Sequence, residues 1–476
     1  MHRSNKPARQ SLHVTFFSRY GLAVALLSIL VLVLNIPSTF VFAQSTDWPT
    51  MMGRNARTDY NAAESVINRK TAPSLKLHWS TKASGSVSSQ PIEANGMLYW
   101  GSGDGLEHAT NPSTGIDTWA TNLGQTSGKC VQNQGVTSIA TVATVNLNGQ
   151  MTPVVFVGGG NAQLYALNAN TGAIIWQIPL GTQPDNFLYG GTAVYNGNVY
   201  IGVASLGDCP LVQGQVVQVN ATTGTLQNVF NVVPTGCVGG SVWDTPTIDE
   251  TTGILYVGTG NPGKCSSAEP YASALIALHT SDLSLADYWQ VPSSQQITDG
   301  DFGSTPTLFT ATINGQMHDM VGLEHKNGIY YAFDRTSIGS GPLWQARIAK
   351  TPPLQSGEVS ISSSAWDGTN LYVAGAASKI NGQKCQGNLR ALNPTNGAVL
   401  WKVCLKKVVY SPAMAVPGLV EIGSGSSLYL YNSSTGKQLF TYQDAAKKSD
   451  FWGAATIING MLFQGNMDGY LYAFGM

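Results

Sequence analysis

The chain has 476 residues, with 25 Lys and Arg against 26 Asp and Glu and a formal net charge of −1. Charged residues make up 11% of it, under half of the roughly 25% usual in soluble domains, while glycine is abundant at 53 residues. A charge this small and mixed gives no footing for nucleic acid or an anionic membrane surface as a partner, and the composition favours a β-rich protein with many tight turns.

The first 43 residues read as an export signal. Arg3, Lys6, Arg9 and Arg19 precede an apolar run from Gly21 to Ile36, and Val41-Phe42-Ala43 puts small residues at the cleavage positions. An uncleaved anchor is the alternative, since Gly21 to Phe42 approaches membrane length. Asn35, Pro37, Ser38 and Thr39 interrupt the run and favour cleavage. No other stretch is long enough to span. The body is therefore expected outside the cytoplasm (secreted, periplasmic or cell-surface), with no membrane span once the signal is removed. The leader holds four of the Lys and Arg and no acid, so the remainder carries 21 basic against 26 acidic residues.

All six cysteines follow the leader: Cys130, Cys209, Cys237, Cys265, Cys385 and Cys404. An even count in an oxidising compartment favours three disulfides, with fifteen formal connectivities. Cys385 and Cys404 fall within one repeat and are the expected pair. No Cys-x-x-Cys occurs, which weakens a metal reading, and no Cys-x-x-Cys-His occurs to attach a c-type haem.

The rest of the chain repeats a unit: an apolar strand ending in Gly, a second strand, a Thr-Gly turn, then a Trp. Gly101…Gly115…Trp119, Gly158…Gly172…Trp176 and Gly397…Trp401 are the clearest copies. The strand–Gly signal occurs at Leu98–Gly101, Val155–Gly158, Val199–Gly202 and Leu255–Gly258. It returns at Met320–Gly322, Leu371–Gly375, Leu419–Gly423 and Leu462–Gly465. That makes eight. One unit has too little core to stand alone, so the units must pack against one another. Glycine supplies the positive φ that the turn needs, and burying each Trp removes roughly 150–250 Å² from water, worth about 4–6 kcal/mol as an upper bound. Asn228 and Phe440 stand where the third and seventh repeats should have Trp, and Trp289 and Trp344 lack a clean Thr-Gly before them.

The last repeat stops at Tyr470–Phe474 with no outer strand, while Leu75–Trp79 is an outer strand with no blade. Pairing them closes the ring and removes the raw edge. The fold expected is all-β: one eight-bladed β-propeller over 74–476, preceded by a tail over 44–73 lying across it.

The Thr-Gly-x-x-x-Trp units resemble those of the quinoprotein propellers, which include the pyrroloquinoline quinone (PQQ)-dependent alcohol dehydrogenases. Non-catalytic relatives, among them outer-membrane assembly scaffolds, share these repeats, so function must come from the site. Gly239–Gly263 resembles the dehydrogenases' cofactor floor and metal region. The resemblance implies that Trp243 stacks under PQQ and that Asn261 ligates Ca²⁺. A flat quinone needs an aromatic platform, and a hard cation takes carbonyl oxygens. Asp299 to Arg335 resembles the segment bearing the general base and a quinone-contacting cation, here Asp301 (also a metal ligand) and Lys326. Taken singly, Trp243 reads equally as a packing residue, and Asn261-Pro262-Gly263, Asp299-Gly300-Asp301 and Lys326-Asn327-Gly328 as turns.

The chain departs from the family pattern in having no adjacent cysteines. It also has no clear Glu in the preceding blade, where Asp208 falls one position out of register. Two functions follow as expectations. One is a dehydrogenase taking a small-molecule or polymeric alcohol and passing electrons to an external acceptor. The other is a non-catalytic propeller holding an envelope protein or glycan. No motif of a hydrolase is present.

Overall fold

The computed structural model describes residues 47–351, 360–446 and 449–476, so the expected leader lies outside the described residues. Eight antiparallel sheets form the ring, seven of four strands and one, blade three, with a fifth two-residue strand at Asn186–Phe187. Their inner strands begin at Ile92, Thr141, Ala193 and Thr247 in blades one to four, and at Thr307, Ala365, Met414 and Thr456 in blades five to eight. Every Gly-terminated run of the sequence is the second strand of its blade. The second and third strands are buried over most of their length, while the first strands of blades two and five run out to exposed ends. The outer strands alternate, with Trp119 and Trp401 half-buried between exposed neighbours.

Closure follows the expected route. Lys76–Lys82 pairs antiparallel with Tyr470–Gly475 and completes blade eight. The chain's N-terminal strand thus seals its C-terminal sheet.

The repeat's glycine and tryptophan act across blades. Each indole N–H donates to a carbonyl in the turn of the following blade: Trp79 to Pro112, Trp119 to Ala169, Trp176 to Ala221, Trp344 to Pro394 and Trp401 to Ser433, at 2.8–3.0 Å. The ring lies against that turn's glycine. A Cβ on Gly172 would stand 2.6 Å from Trp119, and one on Gly436 2.7 Å from Trp401. Glycine is needed twice over, for its positive φ and for the indole's approach.

The two departures have the same explanation. Blade four turns at Leu283 with no glycine, and blade three supplies Asn228 in place of Trp. Asn228 donates to Gln218, whose amide reaches the Thr280 carbonyl at 3.0 Å, so the hydrogen bond survives without the ring. Blade eight has no third-to-outer turn, because its outer strand comes from the N-terminus. Phe440, with no carbonyl to meet, packs edge-on against Phe474 instead. Trp119→Ala is expected to cost about 2–3 kcal/mol in urea unfolding, with Trp119→Phe recovering the packing share of the loss.

Residues 48–61 form a strap hydrogen-bonded to every blade. Trp48 N–H donates to Glu93, Val142 N–H to Pro49, and the Asn55 amide to Val194. Ile248, Leu308, Trp366 and Ala415 donate backbone N–H groups to Asn55, Ala56, Thr58 and Asp59, and the Asn61 amide reaches Ile457 of blade eight. Arg57 is fully buried in this strap and donates to the Met51, Thr192 and Pro246 carbonyls and to Thr50 Oγ1. Burial lowers its pKa to about 9, against the opposing pull of Glu250 and Asp244. Met52, Arg57 and Asp59 take left-handed backbone conformations that these bonds over-determine.

Three disulfides are present: Cys130–Cys209, Cys237–Cys265 and the expected Cys385–Cys404. The second brackets the segment from Gly239 to Gly263. In blade one, Ser102, His108 and Asp117 form a hydrogen-bonded chain at 3.0 and 2.8 Å, with Trp100 stacked on His108. Ser102 and His108 are buried and are not among the residues lining the axial cavity, and the triad clips strands together.

Candidate active site

A cavity of about 470 Å³ lies on the axis and takes residues from all eight blades and from Met51 of the strap. One position of the repeat builds its wall: the residue four places ahead of each inner strand. That position is small in blades one, two and five (Ser88, Thr137, Gly303) and aliphatic in blade six (Ile361). It is aromatic in the other four: Tyr189, Trp243, Tyr410 and Trp452. Trp243 and Gly303 are thus equivalent positions in adjacent blades, and a Cβ on Gly303 would collide with the Trp243 ring. Gly303→Ala is expected to tilt that indole and abolish quinone uptake while far-ultraviolet circular dichroism stays unchanged; quinone absorbance after gel filtration reads the result.

The charged groups of the cavity gather on one side. Among the described lining residues, Asp208, Asp244, Asp299, Asp301 and Lys326 all come from blades three to five and their links. Lys326 directly follows the second strand of blade five, Gln316–His325, and is only 8% exposed. Its Nζ lies 2.6 Å from Asp301 Oδ2, 2.8 Å from Asp299 Oδ1 and 5.4 Å from the Trp243 ring centroid. Burial opposes the ammonium, but Asp301 and Asp299 outweigh it and hold its pKa above the ordinary lysine value. Asp301, 4% exposed, also accepts the Asn261 backbone N–H at 2.6 Å.

Trp243, Asp301 and Lys326, separated widely in sequence, are therefore brought together. Asn261 meets Asp301 through its backbone N–H. Its side-chain amide lies 3.4 Å from the Pro262 carbonyl and is not among the groups lining the cavity. The carboxylate that joins the cluster is Asp208. It, Asp299 and Asp301 each offer an oxygen, all within 4.8 Å of one another. Partial desolvation and repulsion from Asp301 push Asp208 up to about 6, against the attraction of Lys326. Asp208 and Asp299 both sit at positive φ, a conformation aspartate tolerates better than most residues. The Cys130–Cys209 disulfide fixes the loop carrying Asp208 to the link between blades one and two.

The family model "PQQ: Glucose/ethanol/alcohol dehydrogenase, beta-propeller domain" matches residues 48–358. The chain belongs to this family. Among curated relatives of this quinoprotein, a polyvinylalcohol dehydrogenase from Pseudomonas sp is 24% identical over 447 residues. That match covers 82% of the chain and 66% of the relative, so the chain spans just under two thirds of the relative's length. Quinohemoprotein alcohol dehydrogenase from Comamonas testosteroni superposes with a TM-score of 0.72 at 18% identity, covering 90% of this chain and 80% of that one. A europium-containing methanol dehydrogenase superposes at 0.69 with 15% identity, covering 90% and 98%. These superpositions establish the common propeller.

The residues of this quinoprotein fit the family's cofactor. Trp243 offers an aromatic face, Gly303 leaves that face clear, and Lys326 places a cation beside it. The donor set also fits a hard cation. Three carboxylates converge, and the Lys326 ammonium already shows that the cluster holds positive charge. In place of adjacent cysteines, a disulfide between distant residues stands next to the lining residues Val131 and Asp208.

Proposed function

We propose that the chain is an exported PQQ- and metal-dependent dehydrogenase that oxidises an alcohol and passes the electrons to an external acceptor. The observation that carries this reading is the Asp301–Lys326 pair held beside the Trp243 ring in one axial cavity. When bound, the quinone supplies the two-electron acceptor. Trp243 orients it by stacking. Asp301, anchored by the Lys326 ammonium and the Asn261 N–H, is the base that takes the alcohol's hydroxyl proton. Lys326 would place its ammonium beside a quinone lying on Trp243 and so favour the reduced form of that group. Asp208, Asp299 and Asp301 would hold the cation, Ca²⁺ or a larger ion, with the Asn261 backbone N–H fixing Asp301.

The polyvinylalcohol dehydrogenase relative points to a polymeric or other secondary alcohol as substrate. Export rests on the leader and the three disulfides. No described helix is long and apolar enough to cross a membrane. The test is reconstitution of the purified chain with PQQ and Ca²⁺, then with trivalent cations, read by quinone absorbance and dye-linked alcohol oxidation. Failure to take up quinone with any of these ions overturns the reading.

A further inference from the structure

The aromatic members of the cavity ring fall into two Tyr–Trp pairs. Tyr189 and Trp243 belong to blades three and four, Tyr410 and Trp452 to blades seven and eight. In a ring of eight, four steps is half a turn, so the pairs face each other across the axis. Every charged lining group described above belongs to the side of the first pair. Around the second, Pro412, Met467, Gly453 and Ala454 supply an uncharged wall. Tyr410 and Trp452 stack at 4.3 Å between centroids, 15° from parallel, and Trp452 is 37% exposed. A tryptophan held rigid by stacking yet open to a cavity presents apolar surface that the fold itself leaves uncovered.

We infer that the Tyr410–Trp452 stack is a second ligand platform, taking the neutral carbon chain of an extended aliphatic alcohol whose reacting carbon stands at Asp301. Apolar contact with an aromatic face suits hydrocarbon, and among the described residues the wall offers no charge to pair with an ionic substituent. A chain crossing the axis touches both platforms, whereas a small alcohol touches only the charged one. The ligand's identity rests on the dehydrogenase reading; the existence of the platform does not.

The experiment uses the purified full chain without added quinone, titrated with poly(vinyl alcohol) oligomers and followed by tryptophan fluorescence and calorimetry. Saturable binding is expected, weakened about tenfold by Trp452→Ala and largely restored in Trp452→Phe. Trp243→Ala removes part of the first platform and should weaken the oligomer as well, while Trp452→Ala should keep its tenfold effect in that background, because the two rings stand on opposite sides of the cavity. The platform is refuted if the wild type does not bind the oligomer, or if Trp452→Ala binds it as tightly as the wild type. Tighter binding of cellobiose or choline refutes the hydrocarbon assignment. Quinone uptake, measured separately on the same samples, judges the dehydrogenase reading without touching this one.

Discussion

Replacing Asp301 with asparagine is expected to leave the propeller folded and to lower quinone-dependent alcohol oxidation by about 10²–10⁴-fold, the usual worth of a positioned base. The substitution is nearly isosteric, but the Asn261 N–H and the Lys326 ammonium bind different oxygens of Asp301, so the single amide oxygen can serve only one of them. What disappears is the proton acceptor and one charge of the three-carboxylate cluster. The cation should bind more weakly, so the variant must be assayed at saturating metal. Loss of kcat with unchanged quinone absorbance assigns the base to Asp301. A rate within tenfold of the wild type at saturating metal would remove it from that role.

The second large effect concerns stability. Glu107 and Glu421 are fully buried, and neither carboxylate has a hydrogen-bond partner. Desolvation raises both far above the ordinary carboxylate value, with Asp59 adding to the shift at Glu421. Groups whose native pKa is raised stabilise the fold fully below the unfolded value and lose that contribution as pH climbs toward the native one. Each pH unit in that window removes about 1.4 kcal/mol per group. The urea midpoint of the wild type should therefore fall steadily from pH 5 to pH 8. Glu421→Gln, which cannot ionise, should flatten this slope by one group's share and be the more stable protein at pH 8. Parallel slopes for wild type and variant would show that Glu421 is already ionised in the native fold over this range and would overturn the raised pKa.

The ring was legible in the sequence because it repeats. Eight strands ending in glycine, with an outer strand lacking a blade at one end and a blade lacking its outer strand at the other, leave few other architectures. The departures were not legible one blade at a time. Asn228 makes sense only beside the glycine-free turn at Leu283 in the next blade, and Phe440 only beside a blade with no turn to dock on. The site divides in the same way. Trp243, Asp301 and Lys326 stand in segments with family-like spacing, and a local pattern sufficed to pick them out. Asp208 sits in a loop whose position depends on a disulfide from residue 130 and on a left-handed backbone, so counting register along the blade set it aside. The lining position four ahead of each inner strand is spread over eight segments. It emerges once the strand starts are known.

The strap and the sealing strand have a consequence for biogenesis. Residues 48–61 and Lys76–Lys82 leave the ribosome hundreds of residues before several of their partners, Ala415, Ile457 and Tyr470–Gly475 among them. The ring therefore locks only once its eighth blade has been made, and the seven blades before it wait unsealed until then.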